Sequence, residues 1–79
     1  MPETYRYLFY YIFFTSIGRM EGNIYFDLEG ELTSDAVIDV AKRIYKYHIA
    51  PDIEAGNYTS PNTSEQVIIG NIIKLEKVN

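Results

Sequence analysis

The stretch YRYLFYYIFF, residues 5–14, decides the fold of this 79-residue chain. Nine of its ten residues are aromatic or aliphatic, and Arg6 is its only charge. A strand with one face in water alternates apolar and polar residues, and this stretch does not. Tyr, Phe and Ile favour strands, so the run from about Thr4 to Ser16 predicts a strand that is buried on both faces.

Two further strands are predicted. The segment IGRMEGN, residues 17–23, has two glycines and is typical of a hairpin connection. Residues 23–29 then alternate strictly and predict a second strand, with Ile24, Phe26 and Leu28 on one side. The β-branched run QVIIGNIIKL, residues 66–75, predicts a third strand, and Gly70 within it indicates a bulge or a close backbone approach.

A helix is predicted between the second and third strands. Thr33 or Ser34 supplies the N-cap, and Pro51 is expected to prevent continuation of the helix. Apolar residues recur at steps of three and four and form one stripe, which consists of Val37, Val40, Ala41, Ile44 and His48. Positive charge in the last turns complements the helix dipole and comes from Lys42, Arg43 and Lys46.

The order β-β-α-β predicts one domain, residues 1–79, of the α+β class. A hairpin makes the first two strands antiparallel, and a right-handed crossover through the helix makes the second and third parallel. If the third strand lies beside the first, the sheet order is 2-1-3 and the most apolar strand is central. The helix then packs on one face of this three-stranded sheet.

One helix covers only one face, so the other face of the first strand is the candidate binding surface. The more aliphatic set of β1 side chains is predicted to face the helix together with Ile24, Phe26 and Leu28; it consists of Leu8, Tyr10, Ile12 and Phe14. The aromatic set is predicted to stay uncovered and to form an interface; it consists of Tyr5, Tyr7, Phe9, Tyr11 and Phe13, with Tyr25 beside it. An exposed apolar face of this size needs a cover. A second copy of the chain, a different protein, or the 49–65 segment folded back would each supply one.

The segment 49–65 lacks a periodic pattern and is predicted to be a long loop. Loops of this length in small domains are usually functional or mobile. Its hydrogen-bonding groups and one aromatic ring would suit a small polar ligand such as a nucleotide. The candidate ligand residues are Asn57, Tyr58, Thr59 and Ser60.

Composition argues against several classes of function. The chain has a formal net charge of −4 and scattered basic residues, which disfavours direct binding of nucleic acid. There is no cysteine, so no disulfide or thiolate metal site exists, and neither a metal nor a cofactor is predicted. The single histidine, His48, is interpreted as a partly buried helix-end residue. No Ser-His-Asp set, HExxH motif or phosphate-binding fingerprint occurs, and we therefore expect a protein that is not an enzyme.

The hydrophobic run near the N-terminus is too short to cross a membrane. It covers about ten residues, whereas a spanning helix needs about 20. A basic segment and a cleavage pattern typical of signal peptides are also missing. The expected location is the cytoplasm of a bacterial host cell.

Four segments together resemble small accessory proteins of bacteriophages and other mobile elements. They are the N-terminal Tyr/Phe strand, GNIYFD at 22–27, TSDAVIDVAKRI at 33–44 and VIIGNIIKLE at 67–76. That class includes anti-CRISPR and other anti-defence proteins. The resemblance implies a non-catalytic protein, expected to be a homodimer, that binds and inhibits a host defence protein. Two alternatives stay open: a sponge that sequesters a small nucleotide signal at an oligomer interface, and a small enzyme acting on such a ligand.

Overall fold

Three strands and one interrupted helix make up the computed structural model, which describes residues 3–78. In chain order the elements are β1 (Thr4–Thr15), β2 (Gly18–Glu29), α1 (Ser34–Ile44), a π-helical turn (Tyr45–Ile49), α2 (Ala50–Glu54), a 3-10 turn (Ser64–Gln66) and β3 (Ile68–Lys77). The sheet order is β2-β1-β3, and β1 is antiparallel to both neighbours. The predicted α+β fold and strand order are confirmed.

The hairpin between β1 and β2 has a two-residue turn, Ser16 and Ile17, which is shorter than the predicted connection. The Thr15 hydroxyl closes it by accepting from the Ile17 amide at 3.1 Å and donating to the Gly18 carbonyl at 2.8 Å. Gly18 has a φ of +136°, which side-chain-bearing residues rarely adopt. This turn length places each odd-numbered residue of β1 opposite an even-numbered residue of β2.

That register reverses the predicted faces of the sheet. Ile24 stands opposite Phe9 and Phe26 opposite Tyr7, so these side chains share one face. The helix covers this face, and the prediction that it covers the Leu8 side is wrong. The buried core consists of Tyr7, Phe9, Phe13, Val40, Ile44, Ile49, Tyr58 and Val67. The physical reason is that a shift of one residue in strand pairing moves every side chain to the opposite face.

Gly70 interrupts the pairing of β3 with β1, as predicted. Tyr10 pairs with Asn71 and Tyr11 with Ile69, which leaves Gly70 as the extra residue of a bulge. A Cβ atom at Gly70 would lie 3.0 Å from Cδ2 of Tyr10. The glycine therefore permits both the bulge and the close approach of the Tyr10 ring.

The helix begins where the sequence predicts and ends later. The Thr33 hydroxyl accepts from the Ala36 amide at 3.1 Å and caps α1. After Ile44 the backbone widens into the π turn, in which the Ala50 amide donates to the Tyr45 carbonyl, and α2 then continues to Glu54. The prediction that Pro51 prevents continuation is wrong. In a regular α-helix its ring would clash with the carbonyl four residues earlier, and here the wider turn directly precedes it.

The π turn also changes which residue faces the core. A regular helix would place residue 48, four positions after Ile44, on the apolar stripe. The extra residue of the wider turn brings Ile49 there instead, and Ile49 is completely buried. His48 is exposed, so its predicted place on the stripe is wrong.

We predict that Ile49→Ala lowers the free energy of unfolding by about 2–5 kcal/mol, because it empties a fully buried site. His48→Ala, at an exposed position, should change it by no more than about 0.5 kcal/mol. Urea denaturation of both variants checks this. A larger loss for His48→Ala than for Ile49→Ala would mean that the helix is regular through this segment.

Candidate functional site: the open face of the sheet

The segment after α2 folds back over the Phe13 end of the core. Tyr58 is 5% exposed, and its ring centroid lies 6.1 Å from that of Phe13. Its hydroxyl donates to Asp52 at 3.2 Å, and the Asn57 side-chain amide donates to the same carboxylate at 3.1 Å. Tyr58 is therefore a core residue whose ring is not available to stack on a ligand.

The rest of this segment is also held against the body of the protein. The Thr59 amide donates to the Ser16 hydroxyl at 3.0 Å, and the Tyr45 hydroxyl donates to the Pro61 carbonyl at 3.1 Å. Pro61 is fully buried, and Ser60 before it is half-buried. The 49–65 segment thus supplies part of the cover that the sequence left open. The predicted ligand set at 57–60 does not form a free binding loop.

We predict that Tyr58 makes the protein less stable at high pH. Burial and the nearby Asp52 carboxylate raise the pKa of Tyr58 to about 12, whereas an unfolded tyrosine ionises near pH 10. The neutral phenol therefore stabilises the fold below about pH 10, and this contribution is lost as the pH rises towards about 12.

Urea denaturation between about pH 9 and about pH 12 measures this loss. Tyr58→Phe should cost about 0.5–1.5 kcal/mol near neutral pH, because a hydrogen bond is removed. It should also flatten the decline above pH 10 relative to the parent. An unchanged alkaline decline in Tyr58→Phe would contradict the assignment.

The predicted aromatic interface lies mainly under the helix. Tyr7, Phe9 and Phe13 are buried in the core and are not available to a partner. Tyr11 is half-buried and stacks on Phe13, with 6.1 Å between the ring centroids and an angle of 12° between the ring planes. Tyr5 belongs to the same face, where the Lys74 ammonium lies 3.8 Å from its ring centroid. The expectation that this set forms an uncovered surface is wrong.

The uncovered surface is the other side of the sheet, which we call the open face. Tyr25, the remaining member of the predicted interface, belongs to it and is 62% exposed. Within residues 3–78, none of the apolar side chains on this side belongs to the buried core or packs against it. The apolar members of the open face are Leu8, Tyr10, Ile12 and Phe14 of β1, Tyr25 of β2, and Ile68 and Ile73 of β3.

A row of three ion-paired side chains, Arg6, Asp27 and Glu76, crosses one end of the open face. The Arg6 guanidinium binds the Asp27 carboxylate through two contacts of 2.9 and 3.2 Å, and it lies 3.6 Å from Glu76. The hydrogen bond from Arg6 lowers the pKa of Asp27 below its ordinary value. Both charges of the Arg6–Asp27 pair are thus matched within the chain.

A second polar group borders the open face along β2. The Tyr10 hydroxyl donates to the Glu21 carboxylate, and this bond raises the pKa of Tyr10. Arg19 binds the same carboxylate at 3.2 Å. With these groups, the open face has an apolar centre with paired polar groups around it, an arrangement typical of protein–protein interfaces.

A shallow groove of about 350 Å³ crosses the middle of the open face. Its lining consists of Leu8, Tyr10, Asn23, Asn71 and Ile73. The two side-chain amides flank Tyr10 in one cross-strand row. They provide donors and acceptors within an otherwise apolar surface, which suits a protein partner that brings both a side chain and backbone polar groups.

One sequence signal could have identified this face. On β2, six positions lie opposite the even-numbered residues of β1, and all but one of them are polar or charged: Arg19, Glu21, Asn23, Tyr25, Asp27 and Glu29. Asp27 also offers a partner for Arg6, the single charge of the apolar run. These residues match a partly solvated surface better than the inside of a core.

Other kinds of site find no support in the described part of the chain. No group of three His, Cys, Asp or Glu side chains there could hold a metal ion. The helices within residues 3–78 are all too short or too polar to cross a membrane. Comparison of the chain with known protein families, curated proteins and solved structures found no match.

Proposed function

We propose that this protein is a non-catalytic interaction protein and that the open face binds its partner. The observation that carries the proposal is the exposure of large apolar side chains on a sheet whose other face is already covered. Phe14 is 58% exposed, Ile73 45% and Tyr25 62%. Exposed apolar clusters bordered by polar groups mark interaction sites more often than isolated exposed residues do.

The dimensions of the molecule support a partner of protein size. It measures 43 × 19 × 18 Å, so one broad side offers roughly 800 Å², which is about what each protein contributes to a standard interface. The face is also preorganised, because all three of its strands are hydrogen-bonded within one sheet. Binding there requires little ordering of the backbone, and this favours affinity.

The partner that we propose is a host defence protein, which this chain would inhibit by occupying a surface that the defence protein needs. The resemblance to phage accessory proteins is the ground for this choice. The matched ion pairs of the open face are consistent with burial against a protein, because neither charge of a pair would be left alone.

We predict that Ile73→Lys abolishes binding of the partner. A charge buried in an interface without a counter-charge costs at least about 2 kcal/mol, which corresponds to a loss of affinity of roughly 30-fold or more. Ile38→Lys is the matched control, because Ile38 is 54% exposed and lies on the helix, away from the open face. Both variants should keep the stability of the parent within about 0.5 kcal/mol.

The measurement has two parts. Bacterial strains that each carry one defined defence system are infected with a phage that this system restricts, while they express the parent or either variant. The parent and Ile38→Lys should restore plaque formation in one strain, and Ile73→Lys should not. The restricting protein of that strain is then purified, and its affinity for all three forms is measured. Equal rescue and affinity with Ile73→Lys would refute the open face as the binding surface.

A further inference from the structure

The helix carries three positively charged residues whose position in the structure does not match the helix-end role predicted from the sequence. Lys42, Arg43 and Lys46 were expected near a helix end, where they would complement the dipole. The helical backbone instead runs on to Glu54, so these residues lie in its middle. Acidic residues, Asp52 and Glu54, follow towards its end. The dipole therefore does not account for the three cations.

Two of the three cations are also unpaired. Arg43 binds the Asp39 carboxylate at 3.0 Å. Neither Lys42 nor Lys46 forms an ion pair within the part of the chain that the structure describes. The Lys46 ammonium lies 5.4 Å from the ring centroid of Tyr47, its sequence neighbour. In a chain with a net charge of −4, this is a local surface of opposite sign.

These cations line a groove together with two aromatic rings. The groove has a volume of about 530 Å³, and its lining consists of Phe26, Asp39, Lys42, Arg43, Lys46 and Tyr47. Three cations and one carboxylate thus face the same space. Phe26 is half-buried in β2, and Tyr47 is 63% exposed on the helix, so aromatic rings from two different elements border the groove.

We propose that this groove binds a nucleotide, with its phosphates on Lys42 and Lys46 and its base against Tyr47 and Phe26. The two lysines are four positions apart along the helix, which corresponds to a rise of about 6 Å in α-helical geometry. Two lysines at this spacing can contact one phosphate or two linked phosphates, whereas an extended acidic chain would need a longer row of cations. The volume falls within the range of small-molecule pockets, and the rings offer a flat apolar surface to a base.

The groove is centred on the covered side of the sheet, between the helix and β2. It adjoins one end of the open face, because Phe26 and Arg43 also line a concavity with Arg6, Tyr25 and Asp27. Lys42, Lys46 and Tyr47 do not line that concavity, so variants at these positions test nucleotide binding independently of partner binding. The proposal retains the small nucleotide ligand that the sequence suggested and moves it from the 57–60 segment to the helix.

Isothermal titration calorimetry at low ionic strength tests the proposal, with ADP, GDP and UDP as nucleotides. Adenosine, which lacks phosphate, and inorganic pyrophosphate, which lacks a base, are the controls. At least one nucleotide should bind with a dissociation constant below about 1 mM, and more tightly than either control, because ring and phosphate contacts add. Absence of binding by all three nucleotides overturns the proposal. Equal binding of pyrophosphate overturns it as well, since the rings would then contribute nothing.

Variants test the location of the site. Lys42→Gln and Lys46→Gln should each weaken nucleotide binding by roughly tenfold, the loss expected for one charge-assisted contact. Tyr47→Ala should weaken it by roughly fivefold or more. Lys77→Gln is the matched control, because it removes the same charge from β3, outside the groove, and should leave binding unchanged. An equal loss with Lys77→Gln would show a general charge effect and would refute the site.

Discussion

The burial of Phe9 between β2, β3 and the helix is the constraint on which the rest of the structure depends. Phe9 is completely buried at the middle of the central strand, opposite Ile24 on one side and Ile72 on the other. Its ring meets Phe26 edge to face at 5.9 Å. Because the side chains of a strand alternate, placing Phe9 inwards also places Tyr7, Tyr11 and Phe13 inwards.

A core centred on Phe9 requires more cover than α1 alone supplies. Val40 and Ile44 of α1 contribute to it, and the π turn adds Ile49 by shifting the helix by one residue. The segment after α2 then adds Tyr58 beside Phe13. The π turn and the folded-back segment thus act on the same sheet face, because each adds a side chain that buries the core around Phe9 and Phe13. None of the apolar side chains of the open face joins this core.

Two surfaces with different chemistry result from this arrangement. The open face presents large apolar side chains and ion pairs that are matched within the chain, whereas the helix groove presents two lysines that form no ion pair with any residue from 3 to 78. Apolar contact contributes area-dependent affinity, and charged groups contribute orientation and selectivity for anions. In our proposals the open face binds a protein partner, and the helix groove binds a nucleotide.

The sequence is sufficient to predict three strands, the start of the helix, the sheet order and the bulge at Gly70, although β2 begins five residues before the predicted Asn23. These features follow from local patterns: β-branched and aromatic runs, an N-cap, and a glycine within a strand. The sequence also indicated that one helix cannot cover both faces of the sheet, and it left open what covers the second face.

Which face of the sheet the helix covers depends on tertiary packing. Both faces of β1 are apolar, so its own residues do not distinguish them, and the two-residue turn at Ser16 and Ile17 sets the pairing that does. The tertiary structure likewise placed Ile49 rather than His48 in the core, because the helix widens before Pro51. One residue more or less in a turn changes the pairing register of two strands, and one extra residue in a helix rotates the side chains that follow it. Which alternative is more stable depends on how side chains distant in sequence pack together.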